Sequence, residues 1–443
     1  MPHSRSRLTL RREDKNDWER RVPLTPAHVA ALIEDHDLDF DVERFSRRAF
    51  DDREYARLGA RLVDDLEGAE VVLGIKEIPP KLFREHTVYL FFSHTTKGQA
   101  QNMPSLQRLL DLECTLLDYE QVVDERGRRL IFFGKHAGYA GMIDALWMLG
   151  RRFAARGLET PFHHVRLAHE YSGLDEATHH LSRLGERLRE HGLPGELRPL
   201  VVGFTGSGNV SEGAQEIFDR WPTLEILPEE LAELRVDLDR PRNVLFKVVF
   251  RREHRVRRKD GGAFDAAEFD AHPERYVNGM DRWLRYLTFL VHGSFWSPDH
   301  PRLVTRADLA SIWADGAPRL EGIADISCDI GGGIEVTVRP TRPDDPCYVW
   351  DLDKGRPVDG FDGRGPAILA VDNLPCQLPA ESSEHFGDGL ARFAPALARC
   401  DWTVPFEDLR LPPELKRAIL VHRGALTPGF AGLAASLAEH GSS

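Results

Sequence analysis

Short apolar runs separated by helical patterns recur along the whole 443-residue chain, and this alternation restricts its fold more than any other feature. Runs that are apolar at consecutive positions suit strands buried on both faces, and a parallel sheet covered by helices buries them in that way. The first third offers strands at 8–10, 40–42, 71–75, 88–92 and 115–117. Thr25 can cap a helix that has Pro26 at its first position and runs to about Glu34. A longer helical pattern extends from about Tyr139 to Arg156, with Ile143, Leu146 and Trp147 on one face and Gly157 placed to close it. A second α/β layer starts at 200–204 and continues through 224–227 and 244–250, followed by a polar, Pro-punctuated excursion over about 251–308. Strands resume at 323–326 and 367–371, with a hairpin expected around Asp353-Lys354-Gly355 and a helical tail expected to return to the first domain.

A chain of this length exceeds one ordinary core, so two to three domains are expected. Lys plus Arg number 58 against 71 Asp plus Glu, a net charge of −13 that disfavours nucleic acid or an anionic membrane as partner. The strongest basic strip, Arg251, Arg252, Arg255, Arg257, Arg258 and Lys259, lacks interleaved aromatics and reads as a solvated face or a domain contact. Five cysteines, odd in number and never in a CxxC pair, argue against a disulfide framework and a zinc knuckle, so no metal is expected. The first ten residues lack an apolar signal core, and no window reaches the ~18 apolar residues of a membrane span, which reads as a soluble cytoplasmic protein.

Two patterns carry chemistry. Three successive candidate strands end in ionisable groups: 71–75 delivers Lys76 and Glu77, 88–92 delivers His94, and 115–117 delivers Glu120. Taken singly, a polar residue at a strand end is usually solvated. In an open parallel sheet, however, neighbouring carboxyl ends share one edge, where ligands bind, so Lys76, His94 and Glu120 are candidates for one cleft and for proton transfer near neutrality. The second pattern is Thr205-Gly206-Ser207-Gly208-Asn209-Val210-Ser211-Glu212-Gly213, between a strand and a helix. Its glycines allow a tight turn and close approach of a pyrophosphate to the helix N-terminus, although the third glycine is displaced beyond the GxGxxG position. An acidic ribose contact is expected near the end of the next strand. Glu225 and Glu229 flank that point but neither sits at the tip, and no basic residue stands there to meet a 2′-phosphate, so the choice between NAD and NADP stays open. The small-residue segment 134–141 reads as helix-to-sheet packing ahead of a ligand-approach site, and the arginines before Thr25 read, on composition alone, as surface salt bridges.

Further features point to a known family. Arg11-x-Glu13, Glu19-x-Arg21-Val22-x-Leu24-Thr25-Pro26 and Gly74-Ile75-Lys76-Glu77 resemble the N-terminal domain of the alanine dehydrogenase, transhydrogenase and saccharopine dehydrogenase superfamily. Phe92-Ser93-His94-Thr95, Asp118-Tyr119-Glu120, Gly127-Arg128-Arg129, Phe204 to Ser211, His272-Pro273-Glu274-Arg275-Tyr276, Pro301-Arg302-Leu303 and Asp372-Asn373-Leu374-Pro375 resemble the lysine-ketoglutarate reductase half of the bifunctional aminoadipic semialdehyde synthases.

The resemblance implies an α/β fold of two Rossmann-like domains with parallel sheets and an interdomain active-site cleft, residues 1–135 plus 376–443 forming the substrate domain and 136–375 the dinucleotide domain. It implies condensation of lysine with 2-oxoglutarate and reversible reduction of the imine to saccharopine by a nicotinamide hydride, with NADP expected and NAD left open by the residues. A related amino-acid or opine dehydrogenase, or a non-catalytic nucleotide-binding subunit, is the alternative. Lys76 and His94 match the acid/base pair and Glu77 and Glu120 the carboxylates that tune it. Arg21 matches a substrate-carboxylate contact, with Arg129 and Arg11 as further anchors. Gly206, Ser207, Gly208, Asn209 and Val210 match the dinucleotide loop, and Asp372 the cofactor cleft. The expected partners are these small molecules and a second copy of the chain. The saccharopine-cleaving half has no counterpart here, so that step is expected of another protein.

Overall fold

The computed structural model describes residues 7–234, 241–314 and 319–441; residues 1–6 of the N-terminal stretch discussed above lie outside it. The chain forms two compact units, one made of residues up to Phe133 together with those from Pro379 onward, the other of Gly134–Leu378.

The first unit is built on an eight-stranded sheet in the order Ala425–Leu426, Ile419–His422, Thr115–Asp118, Val88–Phe91, Val71–Leu73, Arg7–Leu10, Asp39–Glu43, Arg61–Val63. The six N-terminal strands pair in parallel. Alternate side chains serve both faces: Val71, Leu73, Val88 and Leu90 pack with Phe386, Leu390 and Leu397, whereas Val72, Tyr89 and Phe91 pack with Met103, Leu106, Leu109 and Leu437. This two-sided burial explains runs with no polar alternation. Thr25 caps the helix Pro26–His36 as expected, accepting from the His28 N–H. The tail adds Ile419–His422 antiparallel to Thr115–Asp118, and a two-residue turn at Arg423 and Gly424, with φ of 47° and 77°, folds it back on itself.

The second unit carries the order Arg356–Val358, Cys347–Asp351, Ala367–Leu369, Gly322–Asp325, Phe289–His292, Val201–Thr205, Leu245–Phe250, Thr223–Glu225. It too is parallel except for its Cys347–Asp351 and Arg356–Val358 edge, which is the hairpin expected around Lys354. Each sheet is therefore parallel-dominated and mixed, because a hairpin completes one edge of each. The long helix is Gly134–Ala155, starting a full turn before Tyr139. The segment 134–141 crosses another helix rather than the sheet. A Cβ on Gly138 would stand 2.1 Å from the Val210 carbonyl oxygen, and one on Gly213 would stand 2.2 Å from that of Lys135.

Asp144 on this helix is fully buried, accepting from the Ala168 N–H at 2.8 Å and from Gln377 Nε2 at 2.5 Å. Burial pushes its carboxyl up to about 7, against the two hydrogen bonds. Because the folded-state value lies above the unfolded one, the protonated group favours the native state, and that contribution disappears as pH rises from about 4 through about 7. Asp144→Asn is expected to lack this loss and to gain on the wild type between pH 5 and pH 8 in urea unfolding; equal pH slopes would count against the buried-acid reading.

Candidate active site

In the first unit, Thr115–Asp118, Val88–Phe91 and Val71–Leu73 are adjacent and parallel, so their carboxyl ends share one edge. His94 lies there with a left-handed backbone (φ 52°), its carbonyl accepting from Asn102 Nδ2 at 2.7 Å. Its imidazole stands between two carboxylates, Nε2 3.8 Å from Glu77 Oε1 and Nδ1 3.7 Å from Glu120 Oε1, and stacks on Phe92. Arg129 Nη2 is 3.4 Å from the same Glu120 oxygen. Lys15 Nζ donates to both oxygens of Glu77 at 2.8 and 2.9 Å. Burial raises the Glu77 carboxyl, but Lys15 and His94 bring it below the usual range.

Lys76 follows directly from the same strand. Burial, then the Arg21 guanidinium and the Lys15 ammonium, lower its amine, while Glu19 and Glu77 oppose the shift. Beneath it, Glu13 accepts the backbone N–H groups of Ile75 at 2.6 Å and Lys76 at 2.9 Å. Burial pushes the Glu13 carboxyl up to about 7, with the Arg11 charge acting against it. Asp118 braces the neighbouring strand end, accepting the N–H groups of Ser93 and Glu120. Glu13 and Asp118 set the positions of Lys76, His94 and Glu120, and neither was singled out for this from the sequence; the available signal was an acidic residue just beyond or at the end of a strand beside each of them.

The expected carboxylate anchors divide. Arg129 is half exposed. Arg21 and Arg11 are enclosed, each side chain 1% exposed. The Arg21 fork donates to both oxygens of Glu19, and its guanidinium lies 4.1 Å from the Phe133 ring centre. Arg11 donates to the Arg12 carbonyl and to Asp14, each at 2.6 Å. Both were expected as substrate anchors; here Arg21 is engaged by Glu19 and Arg11 by Asp14, and the Arg21 charge acts on Lys76 and the Arg11 charge on Glu13.

In the second unit, Val201–Thr205 leads through Gly206-Ser207-Gly208 into the helix Asn209–Phe218. Gly206 has φ 97°, and a Cβ there would meet the Gly293 carbonyl oxygen at 2.9 Å, so the turn requires glycine. Gly208 is the N-cap residue and no side chain caps the helix, leaving its positive end open to an anion. A cavity of about 320 Å³ opens at this loop, lined by Gly206, Ser207, Gly208, Arg255, Ser294 and Trp296 among others. Two groups on its wall, Arg255 Nε and Trp296 Nε1, are buried without a hydrogen-bond partner. Such a glycine cradle, helix end and unspent donors fit a dinucleotide.

Asp372 is exposed beyond the strand Ala367–Leu369. It shares the loop's sheet edge, but Gly322–Asp325 and Phe289–His292 separate its strand from that of the loop. Nor does Glu225 reach the loop. Its strand is the outermost one, paired only with Leu245–Phe250, where Glu225 is in register with Lys247, well short of the Phe250–Thr205 pair at the edge. Lys247 Nζ lies 3.1 Å from Glu225 and 3.0 Å from Asp219, and Glu229 lies 3.6 Å from His254. The expectation that the next strand in sequence reads the ribose is thus corrected: the next strand in space is Leu245–Phe250.

These two sheets, with a glycine loop on one and an ionisable cluster on the other, define a two-unit α/β protein of the Rossmann type. Residues 9–140 match the family described as "Alanine dehydrogenase/PNT, N-terminal domain". The chain is a homologue of proteins named alpha-aminoadipic semialdehyde synthase: it is 37% identical over 441 residues to the mitochondrial protein of Bos taurus, covering 96% of this chain and 47% of that one. To the protein of Arabidopsis thaliana it is 38% identical, covering 94% of this chain and 40% of that one. The chain therefore spans about half the length of these relatives or less. It is 28% identical to "Saccharopine dehydrogenase [NAD(+), L-lysine-forming]" of Neurospora crassa, covering 86% and 89% of the two chains. Among solved structures an L-alanine dehydrogenase aligns with a TM-score of 0.60 at 19% identity, over 97% of this chain and 99% of that one, a likeness of fold. The relatives and the fold support a nicotinamide dinucleotide, NAD or NADP, as cofactor class. Among the described residues no group of side chains is arranged to hold a metal, and no helix is long and apolar enough to cross a membrane.

Proposed function

We propose that the chain condenses the ε-amine of L-lysine with 2-oxoglutarate and reduces the resulting imine to saccharopine, reversibly. The observation that carries this reading is the Lys76, Glu77, His94 and Glu120 cluster on one sheet edge, in a chain more than a third identical to aminoadipic semialdehyde synthases. A bound nicotinamide dinucleotide supplies or accepts the hydride. Imine formation needs a neutral amine, proton transfer through the carbinolamine, and departure of water. Lys76, its amine lowered by burial and cationic neighbours, takes the proton from the substrate ammonium and returns one to the departing hydroxyl. His94, flanked by Glu77 and Glu120, relays protons at its two ring nitrogens. Arg129, half exposed beside Glu120, anchors a substrate carboxylate. In the second unit, the Gly206 to Val210 loop and the first turn of its helix hold the pyrophosphate.

The test is oxidation of NADPH and NADH at 340 nm by the purified chain with 2-oxoglutarate and lysine, against ornithine, alanine and ammonia as alternative amines. Oxidation that requires both lysine and 2-oxoglutarate is expected. Turnover with another amine alone would replace the substrate pair, and no turnover with any would favour a nucleotide-binding subunit without this activity.

A further inference from the structure

In a doubly wound sheet the carboxyl end of the strand beside the glycine-loop strand reads the 2′ position of the adenosine ribose: a carboxylate there takes the free diol, an arginine the 2′-phosphate. Here that neighbour is Leu245–Phe250, since Phe250 pairs with Thr205, and the chain continues from it into Arg251-Arg252-Glu253-His254-Arg255. Arg252 and Arg255 line the cavity that also holds Gly206, Ser207 and Gly208. Arg252 is already committed, bonded to Asp270 and lying over the Phe269 ring. Arg255 is not. Its Nε is buried with no hydrogen-bond partner, and among the described residues it forms no ion pair.

The only acidic candidate of the expected strand, Glu225, is one strand further out and neutralised by Lys247. A half-buried guanidinium with an unspent donor, offset only by the charge of the exposed Glu253 two residues before it, is costly, and a dianionic ligand removes that cost through charge-assisted hydrogen bonds. We infer that Arg255, with Arg252 beside it, is the residue that selects a dinucleotide bearing a 2′-phosphate, and that Glu225 plays no part in the choice. This rests on the nicotinamide-dinucleotide reading of the loop. The same cavity is lined by Phe295 and Trp296 after the strand Phe289–His292, aromatic surface for an adenine ring, with Phe295 79% exposed.

The experiment is isothermal titration of the full chain with 2′,5′-ADP and with 5′-AMP, which differ in the 2′-phosphate alone, for wild type, Arg255→Gln, Arg255→Lys and Glu225→Gln, with thermal melting as a check on folding. Wild type is expected to bind 2′,5′-ADP at least about tenfold more tightly than 5′-AMP. Arg255→Gln should lose that ratio while its 5′-AMP affinity changes less than about twofold, Arg255→Lys should recover part of it, and Glu225→Gln should leave it unchanged. Equal binding of the two ligands by wild type, a ratio unaltered in Arg255→Gln, or a ratio altered in Glu225→Gln would overturn the assignment while leaving the dinucleotide reading intact. Binding of neither ligand by wild type would overturn both.

Discussion

Replacing Lys76 with methionine is expected to lower kcat by about a hundred- to ten-thousandfold, the range over which a positioned acid/base group contributes, with KM changed far less. Methionine keeps an unbranched stem of nearly the same length without the amine, and Glu13 bonds the backbone N–H groups of Ile75 and Lys76, so the strand end should survive; an unchanged unfolding midpoint in urea checks this. In the wild type, kcat should rise with pH as the Lys76 ammonium gives up its proton, and the rise should fall below the range of an ordinary lysine because burial and Arg21 disfavour the charged form. Lys76→Met should lack that limb. His94→Gln should slow turnover as well, while keeping the limb, since Lys76 remains. Rates and pH profiles unaltered in both variants would remove the cluster from the chemistry altogether.

The loop variants should produce the second large effect. Gly206→Val forces a side chain onto a backbone at φ 97° and against the Gly293 carbonyl at 2.9 Å. Strain of about 1–3 kcal/mol at such a position would move the loop and weaken dinucleotide binding by about ten- to a hundredfold, with a loss of stability beside it. Gly208→Val separates the two effects. Its φ is −103°, and a Cβ there meets nothing within 4 Å, so the fold has no reason to object. The same methyl groups would stand where a pyrophosphate approaches the uncapped helix. Gly208→Val is therefore expected to melt like wild type and bind dinucleotide at least about tenfold more weakly, by fluorescence titration; retained affinity in both variants would show that the phosphates lie elsewhere.

Much of the scaffold could be read from pattern because its strands are buried on both faces. The strands Val71–Leu73 and Val88–Phe91 are apolar throughout, and the Thr25-Pro26 cap is a local signal needing no tertiary information. Phe289–His292 was lost inside a polar, Pro-punctuated stretch, because its short apolar run is flanked on both sides by loops. The hairpin Ile419–His422 to Ala425–Leu426 was lost among helical signals in the tail. At the site, the three strand ends could be ordered from sequence because successive parallel strands are adjacent in the first sheet. The same assumption failed in the second, where the chain visits the outer position at Thr223–Glu225 before the inner one at Leu245–Phe250. Hydrophobic pattern identifies a strand but not its place in the sheet, so the sequence could not show that Glu225 lies one strand further out than Phe250. Enclosure is equally invisible: Arg11, Arg21 and Arg129 look alike in sequence, and only their surroundings separate two buried cations from one accessible one.

The antiparallel seam between Thr115–Asp118 and Ile419–His422, which includes the Thr115 to His422 contact, joins segments 307 positions apart. During vectorial synthesis the six parallel strands of the first unit emerge, then the whole of the second unit, and only afterwards the segment that seals the exposed edge. Until then the Thr115–Asp118 strand is an open template with unpaired backbone groups, the condition that invites strand addition from another chain. The interrupted unit is thus the kinetically vulnerable one, and its protection in the cell depends on how long translation of 134–378 leaves that edge waiting.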